Sequence, residues 1–123
     1  MEANELVIGN WVYDCFKNRE VRVWGIESNH NQITVNYANG SGIYTEDLKY
    51  IEPIDLTEEW LINLGYETDC DISENPMHFR KDGHLIWKPA SLFYDDLYRI
   101  ELKDVHQLQN LFFALKGKEL TLK

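Results

Sequence analysis

The chain reads as an α+β protein: a small SH3-like antiparallel barrel or curled sheet, then a small antiparallel sheet packed on a C-terminal α-helix. Three observations predict this class. Residues 6–51 hold four or five short strand-forming stretches, broken by turn residues every few positions. Asp82-Gly83 lies between two apolar stretches, the right pair for a two-residue hairpin turn. Val105, Leu108, Leu111, Phe112 and Leu115 recur at three- and four-residue steps, marking one side of a helix. A plain antiparallel meander fits the first part nearly as well. The expected division is residues 1–55 for the all-β part and 56–123 for the α+β part, with no repeat or flexible linker between them.

In chain order, Leu6 to Tyr13 is rich in strand formers and interrupted by Gly9-Asn10. Asp14 to Asn18 is a turn. Glu20 to Ile26 alternates as a strand, although Trp24 and Ile26 make its second face apolar too. Ser28 to Asn31 is a polar turn, and Gln32 to Tyr37 a strand with Ile33, Val35 and Tyr37 on one face. Asn39-Gly40 signals a hairpin that returns through Ile43-Tyr44. Glu46 to Leu48 makes a helical turn before Lys49 to Ile51, and Pro53 closes the segment. A short helix over 58–64 is capped by Thr57 and stopped by Gly65. After Tyr66 to Thr68 and a polar loop, Asp69 to Asn75, a hairpin spans 77–88. Its register sets Phe79 opposite Ile86 on one face and His78 opposite Trp87 on the other. Leu92 to Tyr94 and Leu97 to Leu102 are further strands. The terminal helix covers 105–115, with Asp104 and Gln107 as a capping box and Gly117 as its stop. Leu120 to Leu122 adds an edge strand.

Composition narrows the function classes. At 123 residues, 44% hydrophobic and 13% aromatic, the chain has ample material for a packed core and is no disordered segment. Its first residues, MEANELVIGN, carry acids and no apolar run, which points to a cytoplasmic protein rather than an exported one. The net charge of -9 is spread: four bases face nine acids through Asp55, and eight face twelve beyond it. Such a field repels phosphate backbones, so no nucleic-acid partner is expected. No apolar run approaches membrane-spanning length, and no membrane partner is expected either.

The chemistry-bearing residues are scattered. Cys15 and Cys70 match no ligand or redox spacing and read as free thiols. His30, His78, His84 and His106 form no His-x3-His pair, and a zinc site needs three or four converging ligands. They read as surface or half-buried side chains. Asp95-Asp96, Glu58-Glu59 and Asp69-x-Asp71 are acid pairs, and adjacent residues diverge too far to share a proton. No nucleophile, base and orienter come together, so no catalytic residue, metal or cofactor is expected.

Two surfaces are candidates for partner binding. His106, Gln109, Asn110 and Phe113 form a second stripe on the terminal helix. Either it packs on a sheet edge or the barrel, with its amides satisfying backbone groups, or it meets a partner or a second copy. Trp11, Tyr13, Trp24, Tyr37 and Tyr44 fill the barrel, or, with Glu20, Glu27, Glu46 and Asp47 nearby, form a groove of the kind that takes proline-rich peptides. Trp11, Tyr13, Trp24 and Tyr44 join the helix stripe as candidate contact residues.

LTEEWLINLGY (Leu56 to Tyr66) and VHQLQNLFFAL (Val105 to Leu115), with IGNWVYD (Ile8 to Asp14) and YIEPIDLT (Tyr50 to Thr57), resemble an uncharacterised family of short Bacteroidota proteins, often phage-associated. The resemblance covers nearly the whole chain. Its members commonly carry an aromatic where this chain has Asp104. It implies the same two-part layout and a bacterial or phage setting, and implies no activity. The expectation is a non-enzymatic acidic accessory protein that binds another protein or itself. The alternative is an acidic mimic of nucleic acid that inhibits a nucleic-acid-handling enzyme.

Overall fold

The computed structural model describes residues 5–29, 32–39, 42–68 and 78–122. Five strands come first: β1 (Trp11–Asp14), β2 (Arg19–Asn29), β3 (Gln32–Asn39), β4 (Gly42–Asp47) and β5 (Ile51–Glu52). Then follow α1 (Glu58–Asn63), β6 (Glu67–Thr68), β7 (His78–Lys81), β8 (His84–Trp87), β9 (Phe93–Asp95), β10 (Glu101–Leu102) and α2 (Val105–Lys116). The protein is α+β, as the sequence predicts.

The first sheet is antiparallel, in the order β4-β3-β2-β1-β5. It curls, and a backbone bond from Cys15 N–H to Tyr50 C=O ties the turn after β1 to the residue before β5. The long strand β2 bends at a bulge: Val23 faces Tyr37 but Gly25 faces Asn36, leaving Trp24 as the extra residue. Beyond the bulge the alternation shifts, and Ile26 packs with the core formed by Val12, Val21, Val23, Val35, Tyr37 and Ile51. This resolves the doubly apolar reading of β2. Trp24 stays outside.

The second sheet, β10-β9-β8-β7-β6, is also antiparallel and lies under α2. Phe79, Ile86, Phe93 and Leu102 share one buried cluster with Val105, Leu108 and Phe112 of the helix. The expected hairpin register holds, with Phe79 against Ile86 and His78 against Trp87. Asp82 and Gly83 take φ of 50° and 83°, the paired left-handed geometry of a type I′ turn. The short helix α1 is capped as expected by Thr57, whose hydroxyl accepts from Trp60 N–H at 3.2 Å. It ends at Gly65, φ 95°, where a side chain would sit 2.6 Å from the Lys81 ammonium that caps the Leu64 carbonyl.

Several expectations are corrected. The first strand begins only at Trp11, because Asn10 folds residues 7–10 into a turn, its side chain accepting from Val7 N–H at 2.8 Å. The strand over 97–102 shrinks to Glu101–Leu102. Asp95 accepts Tyr98 N–H through its side chain and Arg99 N–H through its carbonyl, and Arg99 turns at φ 60°. Leu120 is buried as a plug in the helix-covered core rather than in a strand, and Leu122 is exposed. Leu115, assigned to the apolar stripe of the terminal helix, lies at the exposed end of α2. The capping box does not form: Asp104 makes no side-chain cap bond, while Gln107 reaches past it to Lys103 N–H and Glu101 C=O. Gly117 does stop the helix, at φ 72°. The hairpin signalled by Asn39-Gly40 forms, with Asn39 ending β3 opposite Gly42 and Ile43 and Tyr44 on the returning strand; Gly40 itself, the 69–75 loop, Cys70 and His30 lie outside the described residues.

Candidate functional site

The terminal helix grips both sheets. Gln109, 6% exposed, accepts from Trp11 N–H at 2.8 Å and donates to Gly9 C=O at 3.0 Å. Asn110 accepts from the Asn10 side chain and donates to Glu5 C=O, both at 2.9 Å. Two residues away, Gln107 makes the same kind of paired contact on the second sheet, accepting from Lys103 N–H and donating to Glu101 C=O, both at 2.8 Å. Positions 107 and 109 sit on nearly opposite sides of a helix, so one element closes two backbone edges. His106 is also buried; its Nε2 lies 3.7 Å from Glu5, and its Nδ1 has no hydrogen-bond partner. Burial and orphaning of this ring depart from the expected surface or half-buried histidine. Phe113, at the far end of the stripe, is 53% exposed. With Val7, Ile8 and Leu120 it lines an apolar groove of about 130 Å³.

The barrel aromatics divide. Tyr37 is core, and Tyr44 stacks on it at 5.7 Å with Arg19 and Lys17 over its ring. Tyr37 donates to buried Asp14 at 2.7 Å and accepts from Arg19 at 3.0 Å. Burial pushes the Tyr37 phenol above its ordinary range, opposed by the Arg19 contact. Trp24 is 57% exposed at the bulge. Trp11 and Tyr13 instead turn toward the second half, packing against its core. The structure thus brings Trp11 together with the helix stripe and leaves Trp24 and Tyr44 elsewhere on the sheet.

Trp11 meets a residue with no place among the candidates, Trp60 of α1, at 5.9 Å between ring centroids and 54° between planes. The two rings line a cleft of about 530 Å³ together with Ile54, Leu122 and the carboxylates of Glu20, Asp55 and Glu59. Local backbone bonds place Asp55: Leu56 N–H to Lys103 C=O and Val105 N–H to Ile54 C=O set it opposite Asp104 in a bridge. Burial raises the pKa of Asp104, and the Asp55 carboxylate adds to the effect. No sequence signal joins Trp11 and Trp60, 49 positions apart; only the clasp between residues 53–56, the joint between the two halves, and the start of α2 does.

The most conspicuous polar constellation is sealed. Tyr66 OH lies 2.8 Å from His84 Nδ1, and His84 Nε2 lies 2.7 Å from Asp95. A neutral imidazole satisfies all three groups, accepting from the phenol and donating to the carboxylate. Burial pushes the Tyr66 phenol far up. With His84 4% and Asp95 0% exposed, the relay meets no solvent-borne substrate and acts as a buried brace. His84 was another histidine expected at or near the surface; facing α2 rather than solvent, it lies on the opposite side of the hairpin from His78. Among the described residues, no group of three or more His, Cys, Asp or Glu side chains is arranged to hold a metal ion. No described helix is long and apolar enough to cross a membrane.

No protein-family model matches the chain, and no curated protein or solved structure matches it either.

Proposed function

We propose that this chain is a non-enzymatic accessory protein that works by binding another protein at the seam between the terminal helix and the N-terminal segment. One observation carries the reading. Val7, Ile8 and Phe113, exposed by 53%, 59% and 53%, stand around a single apolar groove. Grouped apolar exposure of this kind marks interaction sites more often than scattered residues do. Trp24, held outward by the bulge, offers a second anchor of the type that dominates interface energetics. The resemblance to phage-associated proteins adds a phage or mobile-element setting to the proposal.

The test is capture from a bacterial lysate at low and high salt, using the wild type and a double variant, Ile8→Ser with Phe113→Ser. The expected result is a stoichiometric protein partner retained at both salts, lost by the variant and rebound when purified. Equal capture by both proteins sinks the reading.

The alternative is an acidic mimic of nucleic acid, supported by a net charge of -9 that no basic domain balances. It predicts affinity that collapses as salt rises, whereas an apolar interface loses little.

A further inference from the structure

We propose that the cleft between Trp11 and Trp60 is a docking site for an arginine side chain of a partner protein. The inference rests on the protein-binding reading above and names the chemistry of the partner. Three elements supply the acids: Glu20 from β2, Asp55 from the joint and Glu59 from α1. Four other acids find partners, Glu58 with Lys88, Glu101 with Lys103, Glu119 with Arg22 and Asp82 with Lys118, whereas Glu52, Glu67 and Asp96 stand singly without one among the described residues. Among the described residues, Glu20, Asp55 and Glu59 form no ion pair and no side-chain hydrogen bond, and no cation lines the cleft.

The shape of the cleft selects among ligands. Two half-buried tryptophans and three acidic residues line the same cleft, and an indole ring carries negative potential on its faces. An anion is repelled here. A purely apolar side chain would desolvate carboxylates without pairing them. A guanidinium answers both surfaces, because its flat face stacks on an aromatic ring while its N–H forks meet carboxylates. An ammonium satisfies the charge but not the stacking. Among the described residues two guanidinium groups already lie on aromatic rings, Arg19 over Tyr44 at 4.9 Å and Tyr37 at 5.3 Å, and Arg99 over Trp87 at 5.3 Å. Arg19 lies in the adjoining recess, which shares Glu20, Ile54 and Asp55 with the cleft, but its guanidinium is bonded to Tyr37 and it does not line the Trp11–Trp60 cleft.

The experiment uses the whole chain, labelled with ¹⁵N and titrated with the blocked tripeptide acetyl-Gly-Arg-Gly-amide. Matched peptides carry lysine or the neutral isostere citrulline in place of arginine. The expected result is a saturable shift of the Trp11 and Trp60 indole N–H signals with the arginine peptide. The lysine peptide binds about threefold more weakly or less, and citrulline leaves the signals unmoved. The double variant Asp55→Asn with Glu59→Gln, at exposed positions, weakens arginine binding about tenfold while its other signals stay in place. Equal response to citrulline, a response that never saturates, or an unaffected variant overturns the proposal. The two readings fail separately. A partner captured through Ile8 and Phe113, with silent indoles in the titration, keeps the accessory function and removes the arginine site. Specific arginine binding without any captured partner does the reverse.

Discussion

Each sheet ends a strand on an aspartate with no solvent exposure, yet the two are satisfied differently. Asp14 closes β1: one oxygen accepts Phe16 and Lys17 N–H, and the other accepts the Tyr37 phenol. Asp95 closes β9: one oxygen accepts Tyr98 N–H, and the other accepts His84, which leans on Tyr66. In both cases a buried carboxylate starts a turn and is tied to a tyrosine. The first has a permanent cation at hand, since Arg19 bonds the same phenol from the sheet's open side. The second has a histidine ring in place of a guanidinium, enclosed by Phe112 of the covering helix. An open curled sheet can hold its buried acid beside a permanent charge, whereas the helix-covered sheet holds its own through an enclosed chain of hydrogen bonds.

That contrast predicts unequal costs. Asp95→Ala leaves His84 Nε2 without its partner in a closed core, a loss of about 3 kcal/mol, while Tyr98 N–H, on a residue 59% exposed, can turn to water. Asp14→Ala leaves Tyr37 still bonded to Arg19, and the turn amides lie next to solvent-exposed Phe16 and Lys17, so about 1–3 kcal/mol is expected. Urea midpoints at constant slope read the difference directly. Equal midpoints for the two variants would dissolve the contrast.

Much of the second sheet was legible because its signals are local. Asp82-Gly83 can form only one kind of hairpin turn, and that turn fixes which faces Phe79 and Ile86 occupy. The stripe of α2 and the stop at Gly117 are equally self-contained. What stayed hidden depends on distance. Gln107 looks like half of a capping box, since nothing in the sequence says that Glu101 and Lys103 run past it as an open edge. Leu97 to Leu102 looks like a strand, since the turn inside it is set by Asp95 and its bond to His84 eleven positions back. The cleft is the least legible feature of all. Trp60 reads as ordinary helix apolarity until the joint is clasped to α2 and brings it to Trp11.

The paired glutamines sharpen the contrast between the sheets at smaller cost. Gln109→Leu removes two bonds to the first sheet at a buried position, leaving Trp11 N–H to find another partner while Gly9 C=O keeps its bond from Arg22. Gln107→Leu removes two bonds to the second sheet where Lys103 is exposed and water can replace the amide. About 1–3 kcal/mol is expected for Gln109 and about 1 kcal/mol for Gln107. Hydrogen exchange separates them further: faster exchange should appear at Trp11 in the first variant and at Lys103 in the second. Exchange that rises at both edges in either variant would mean the helix docks as one unit, not as two independent grips.

The last effect, absent at neutral pH, concerns alkali. Burial holds the phenols of Tyr66 and Tyr37 above the ordinary tyrosine value of 10.0, and for Tyr37 the Arg19 hydrogen bond works against the rise. The folded state therefore keeps its proton where the unfolded chain loses it. Stability from the neutral Tyr66 phenol is whole below about pH 10 and drains away as the pH climbs toward the folded-state value, by about 1.4 kcal/mol per pH unit for one group. Tyr66→Phe cannot ionise, so its stability should be lower than the wild type's at pH 8 but fall less steeply above pH 10. Tyr37→Phe should flatten the curve less, because the neighbouring guanidinium already lets that phenol ionise more readily. Urea midpoints between pH 8 and 11 give the slopes. Parallel curves for the wild type and Tyr66→Phe would show that alkali attacks the fold elsewhere and that the sealed relay holds no special grip on its proton.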